Sequence, residues 1–107
     1  MRIIRNNYIP FKGFRAINLF GVLFVRRSAI INDRTIRHEA IHTAQMKEML
    51  YIFFYLWYVV EWLIRLFMKG NAYKNISFER EAYDNESDII YLEQRSRFAW
   101  IKYIQIV

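Results

Sequence analysis

His38-Glu39-Ala40-Ile41-His42 is the stretch on which the reading of this chain turns. The two histidines are the only ones in 107 residues, and a glutamate follows the first. Four residues is about one helical turn, so on a helix both imidazoles leave from one face. That spacing lets them share a zinc ion, with Glu39 on the side where a zinc-bound water would sit. The competing reading is a pair of ordinary core histidines, and a third ligand elsewhere would decide against it. Asn32 and Asp33 are good N-cap residues for a helix carrying the motif to about Glu48. Ile41, Ala44 and Met49 can then face a core.

Working toward the N-terminus, residues 2–9 and 14–27 read as strands. Pro10-Phe11-Lys12-Gly13 forms the turn between them, and Gly21 suggests a bulge or a second turn. Two or three antiparallel strands are expected. Residues 1–37 hold eight basic side chains against one acid, Asp33, whereas the remainder holds eight against nine. A basic half suits an anionic partner, a membrane surface or nucleic acid. Arg2, Arg5, Arg15, Arg26 and Arg27, with Tyr8, Phe11 and Phe14 between them, would suit stacking on single strands. The same alternation suits a half-buried sheet, and that reading disfavours nucleic acid.

Working toward the C-terminus, residues 49–68 are the most apolar segment. Twenty residues would just span a bilayer, but Glu61 and Arg65 are costly inside one, and their i, i+4 spacing lets them pair. A buried or interfacial helix is expected, ended by Gly70 and Asn71. Residues 70–77 read as a loop, with Ser77 capping a long helix from Phe78 to about Arg97. For residues 98–107 periodicity does not choose between helix and strand.

The length allows one domain, residues 1–107, of α+β class: a small antiparallel sheet of two to three strands, then three helices. There is no cysteine, so disulfides and thiolate sites are excluded. The basic N-terminus has no apolar run behind it, so no signal peptide is read and a cytoplasmic location is expected. Hydrophobic residues make up 55% of the chain and aromatics 19%. So much apolar surface in so small a domain suggests that residues 49–68 meet the inner membrane face or a second copy.

Two histidines leave zinc short of a ligand, and only a carboxylate can supply the third. Glu79 and Glu81, at the start of the last helix, are the candidates. The apolar stripe there runs through Phe78, Ala82, Ile89 and Leu92. Glu79 lies about 60–80° from its centre and Glu81 about 80–100° on the other side. The motif followed by Glu79-Arg80-Glu81-Ala82 resembles gluzincin-type zincin metallopeptidases. The glutamate segment is similar to that of ImmA/IrrE-like proteins and of membrane-associated M48-type peptidases. The resemblance implies His38, His42 and Glu79 as zinc ligands, with Glu81 the alternative because Tyr83 stands where the family has Asn or Asp.

It further implies a peptide or protein substrate, a zinc-activated water and Glu39 as general base. Tyr83 or Tyr73 would be the oxyanion donor, and Asp84 or Glu86 would orient a histidine. In such zincins the strand before the active-site helix, here Gly21 to Arg27, pairs with the substrate. The alternative keeps the fold and drops catalysis, leaving a zincin-like membrane-surface or protein-interaction module. Glu39 discriminates the two, since a structural site needs no general base.

Overall fold

In the computed structural model, which describes residues 1–104, a two-residue turn cuts the run at 14–27. Phe20 and Gly21 both take left-handed backbone, with φ of 52° and 88°. That is the primed geometry a tight hairpin needs. It joins β2 (Ala16–Leu19) to β3 (Val22–Arg26), which pair antiparallel. A side chain at Gly21 would meet Thr43 Cγ2 at 3.3 Å, so the turn sits hard against the helix that carries the histidines.

β1 (Arg2–Asn6) departs from the expected pattern: it pairs with β3 in parallel, giving the order β1-β3-β2 and a mixed sheet. The strand expected over 2–9 stops at Asn6, whose Oδ1 accepts from the Tyr8 and Ile9 N–H groups. Residues 7–15 are therefore a crossing loop rather than a hairpin turn. Arg26 Nη1 ties that loop down by donating to the Pro10 carbonyl at 2.8 Å. The crossing leaves the most apolar strand in the middle, with Leu23 and Val25 fully buried.

Helix α1 (Asp33–Glu48) begins as read, with Asn32 Oδ1 accepting the Thr35 N–H at 2.9 Å. Ile41 is buried, and Met49 packs at the edge of the core. Leu50 and Tyr51 then take positive φ, and the chain turns by 110° into α2 (Ile52–Leu66). That helix ends before Gly70. Only Phe54 and Glu61 of α2 are buried, so it is not a core helix. Among the described residues no single helix is long and apolar enough to cross a membrane.

The long helix expected over 78–97 is also interrupted. Ser77 is the first residue of α3 (Ser77–Asn85) rather than its cap. The capping acceptor comes from α2: Glu61 Oε2 receives both the Ser77 N–H and its hydroxyl at 2.7 Å. A carboxylate at a helix N-terminus is favourable for charge and for hydrogen bonding. The helix stops in Asn85-Glu86-Ser87-Asp88, where short polar side chains compete for backbone groups. Asn85 Nδ2 donates back to the Glu81 carbonyl, and Asp88 Oδ1 accepts the Ile90 N–H. A short α4 (Tyr91–Gln94) and a 3-10 turn (Ala99–Tyr103) follow. The tail expected as helix or strand is thus a 3-10 turn, and residues 105–107 lie outside the described residues.

The fold is α+β: among the described residues, a three-stranded mixed sheet with four helices, three of them longer than one turn. Met46, Phe54, Ile76, Phe78 and Trp100 form the helical core. Phe78 stacks on Phe54 at 4.5 Å between ring centres, which fixes the start of α3 against α2.

Candidate metal centre

Three side chains separated by up to 41 residues meet between α1 and α3. His38 Nε2 and His42 Nε2 are 3.2 Å apart, and each lies 3.0 Å from Glu79 Oε1. All three residues are buried. The triangle suits a tetrahedral ion, whose donors at bonds of 2.0–2.1 Å stand about 3.3 Å apart.

The outward ring nitrogens are both occupied. His38 Nδ1 lies 2.8 Å from Glu86 Oε2, a pure acceptor, so this nitrogen carries the proton. His42 Nδ1 lies 2.8 Å from Gln45 Oε1. The Gln45 amide orientation is fixed because its Nε2 donates to the Phe78 carbonyl and to Glu81 Oε1. With both Nδ1 positions protonated, each Nε2 can present its lone pair to the same point. Tyr58 completes the arrangement by donating to the second Glu79 oxygen at 2.7 Å.

Of the two candidate glutamates, the structure brings only Glu79 to the histidines. Glu81 is fully buried on the opposite flank, where it accepts from Gln45, Tyr91 and Arg95. Of the two residues expected to orient a histidine, Glu86 makes the contact. It can do so because α3 ends beside it. The sequence does not single out Gln45 or Tyr58, and it marks Glu61 only as a partner for Arg65. Gln45 alone left a trace there, as a polar residue one turn after His42 on the same face.

Glu39 lines a cleft of about 290 Å³ with His42 and Glu79. Its wall includes Ala16 to Leu19 of β2, Phe54, Tyr55 and Tyr58 of α2, and Tyr73. Tyr83 does not line it. The Tyr83 ring packs edge-on against His38 at 4.6 Å, and its hydroxyl lies 3.4 Å from that of Tyr73. The strand at Gly21 to Arg27 cannot receive a substrate strand either, since β3 is paired on both sides. The edge that faces the cleft is β2, tethered by Asn18 Nδ2 to the Glu39 carbonyl at 3.0 Å.

Without a metal the cluster carries its own charge balance. Burial opposes a charge on His42, but the Glu79 carboxylate outweighs it and lifts the His42 pKa from 6.5 to about 9. Burial pushes Glu79 up, yet charged His42 and hydrogen bonds from both histidines and Tyr58 hold it well below the usual carboxylate range. Burial, then the Glu79 charge, pushes the Tyr58 and Tyr73 hydroxyls far up, so both remain donors.

The signs give a pH prediction. The raised His42 pKa stabilises the metal-free fold fully below 6.5 and stops doing so as pH rises through about 9. The lowered Glu79 pKa stabilises it above 4.5 and is lost on acidification. A cation must displace the His42 proton, so zinc affinity should climb about tenfold per pH unit toward pH 9 and then level off. Calorimetry in buffers of different ionisation heat should read about one proton per zinc released by His42 at pH 7, on top of that from a zinc-bound water, and the His42 share should vanish well above 9.

Compared with known proteins, the chain matches no family model, no curated protein and no solved structure.

Proposed function

We propose that this chain is a zinc-dependent peptidase of gluzincin type. The observation that carries the reading is the convergence of His38, His42 and Glu79 on one point, with Glu39 in the cleft beside them. Both histidine tautomers are set for metal binding from outside, by Glu86 and Gln45. His38, His42 and Glu79 would hold the ion, and Tyr58 fixes the rotamer of Glu79. Zinc bound there would supply Lewis-acid chemistry, acidifying a water and polarising a carbonyl. Glu39 takes a proton from the attacking water and returns it to the leaving amine. Tyr73 lines the cleft and Tyr83 does not, so Tyr73 is the better placed oxyanion donor. An extended peptide can lie along the outer edge of β2, where main-chain pairing positions it without reading its sequence.

The test is zinc stoichiometry after reconstitution, in the native chain, Glu79→Ala and Glu81→Ala. The expected result is about one zinc per chain, lost in Glu79→Ala and kept by folded Glu81→Ala. Stoichiometry near zero in all three would sink the proposal. A peptide library then screens for hydrolysis, with Glu39→Gln as the inactive control.

A further inference from the structure

Helix α2 is turned inside out relative to a helix on a water-facing surface. Counting 100° per residue, Phe54, Tyr55, Tyr58, Glu61 and Arg65 fall within an arc of about 120°. Its polar groups look inward: Tyr55 bonds Asn18, Tyr58 bonds Glu79 and Glu61 bonds Ser77. The opposite arc, about 160° wide from Leu66 round to Ile64, holds Ile52, Phe53, Leu56 and Val60 between those two edges. Each of these is at least 45% exposed, and the arc contains no polar side chain.

We propose that this face of α2 docks on an anionic lipid surface, with the helix lying in the plane of the bilayer. Three observations select lipid over a second protein chain. A partner helix covers a stripe about 100° wide and would leave much of this arc wet, whereas acyl chains cover all of it. Trp57 and Trp62, 37% and 40% exposed, lie near the two seams between the apolar and inward-facing arcs. Indole rings favour that level at a membrane interface. Charge makes the third argument. Exposed Lys47 and Lys69 bracket the apolar stretch. The two acids between them are turned inward, Glu48 onto Arg95 and Glu61 onto Ser77. Along the chain the exposed apolar stretch is thus bounded by cations and shows no outward acid, the pattern that suits anionic headgroups.

Length excludes the spanning arrangement for this helix alone. Fifteen residues rise about 22 Å, short of a hydrocarbon core of about 30 Å. Docking leaves the cleft lined by Tyr55 and Tyr58 about one helix diameter, 10–12 Å, from the lipid. The inference does not depend on a metal.

The experiment is flotation of the full chain with phosphatidylcholine vesicles, with and without phosphatidylglycerol, alongside quenching of tryptophan by brominated acyl chains. The native chain should float with the phosphatidylglycerol vesicles, and its emission should be quenched. Leu56→Glu with Val60→Glu should lower the affinity at least about tenfold, with helicity and zinc content unchanged. Lys47→Gln with Lys69→Gln should weaken binding a few-fold, as should added salt. Absence of flotation and quenching in the native chain would overturn the proposal. So would a soluble dimer that Leu56→Glu with Val60→Glu converts to monomer while vesicles bind neither. Equal binding to pure phosphatidylcholine would overturn its anionic part. Zinc stoichiometry on the same samples keeps failure of this inference separate from failure of the peptidase proposal.

Discussion

Arg95→Met is expected to lower the stability of the metal-free protein by about 3–5 kcal/mol, the range found when one partner of a buried ion pair is removed. The Arg95 guanidinium is almost wholly buried between two carboxylates. It holds Glu48 through two parallel bonds of 2.9 and 3.0 Å and reaches Glu81 through Nε and Nη2. Burial opposes the charge on Arg95, but these carboxylates outweigh it and raise its pKa further. With the guanidinium gone, the fully buried Glu81 keeps only Gln45 and Tyr91 as donors. The midpoint of urea unfolding measures the loss. Adding Glu81→Gln to Arg95→Met should recover much of it, because the stranded charge is then removed. If the double variant is no more stable than the single one, the cost lies in lost packing and not in charge.

Glu39→Gln is expected to keep one zinc per chain and to cut peptide hydrolysis by about 10²–10⁴-fold. The metal should stay because Glu39 makes no contact with the His38, His42 and Glu79 donor atoms that the fold relies on. Its contribution to the architecture is its carbonyl, which accepts from Asn18 and Thr43, and glutamine preserves that. Hydrolysis should fall because an amide cannot take the proton from water. Rates on the best peptide from the library, measured beside zinc content, separate the two effects. A variant that hydrolyses as fast as the native chain would remove Glu39 from the mechanism, whatever the metal does.

The parts of this fold legible in the sequence are those with local causes. Asn32 announces α1 through a bond to a residue three away, and the spacing of His38 and His42 needs only helical geometry. The helical wheel sets Glu79 and Glu81 on different sides of the apolar stripe but leaves both as candidates, and only the packing of α3 on α1 brings Glu79 to the histidines. What stayed hidden depends on partners far along the chain. The parallel place of β1 follows from a crossing loop, and a Pro–Gly turn signal looks the same whether the chain doubles back or crosses over. Gln45 acquires its role only when Phe78 and Glu81 arrive to fix its amide. Glu61 reads as a partner for Arg65 four residues on, and nothing local to it announces the helix 16 residues downstream that it caps. The end of α3 at Asn85 was present in the polar run that follows, but the apolar residues at 89 and 92 continued the helical period and masked it.

The capping of α3 by Glu61 sets an order of assembly. The histidine pair can form as soon as α1 does, since everything it needs lies within one turn. Glu79 cannot be aimed until α3 has a defined start, and that start is held by a carboxylate on α2. His38 gains its outer partner later still, when the chain reaches Glu86. A growing polypeptide therefore carries a two-nitrogen half-site over the 37 residues from His42 to Glu79 and completes the third donor only once α3 has formed. Metal captured early would be loosely held and exchangeable, and tight retention would mark a chain whose second and third helices have already locked together.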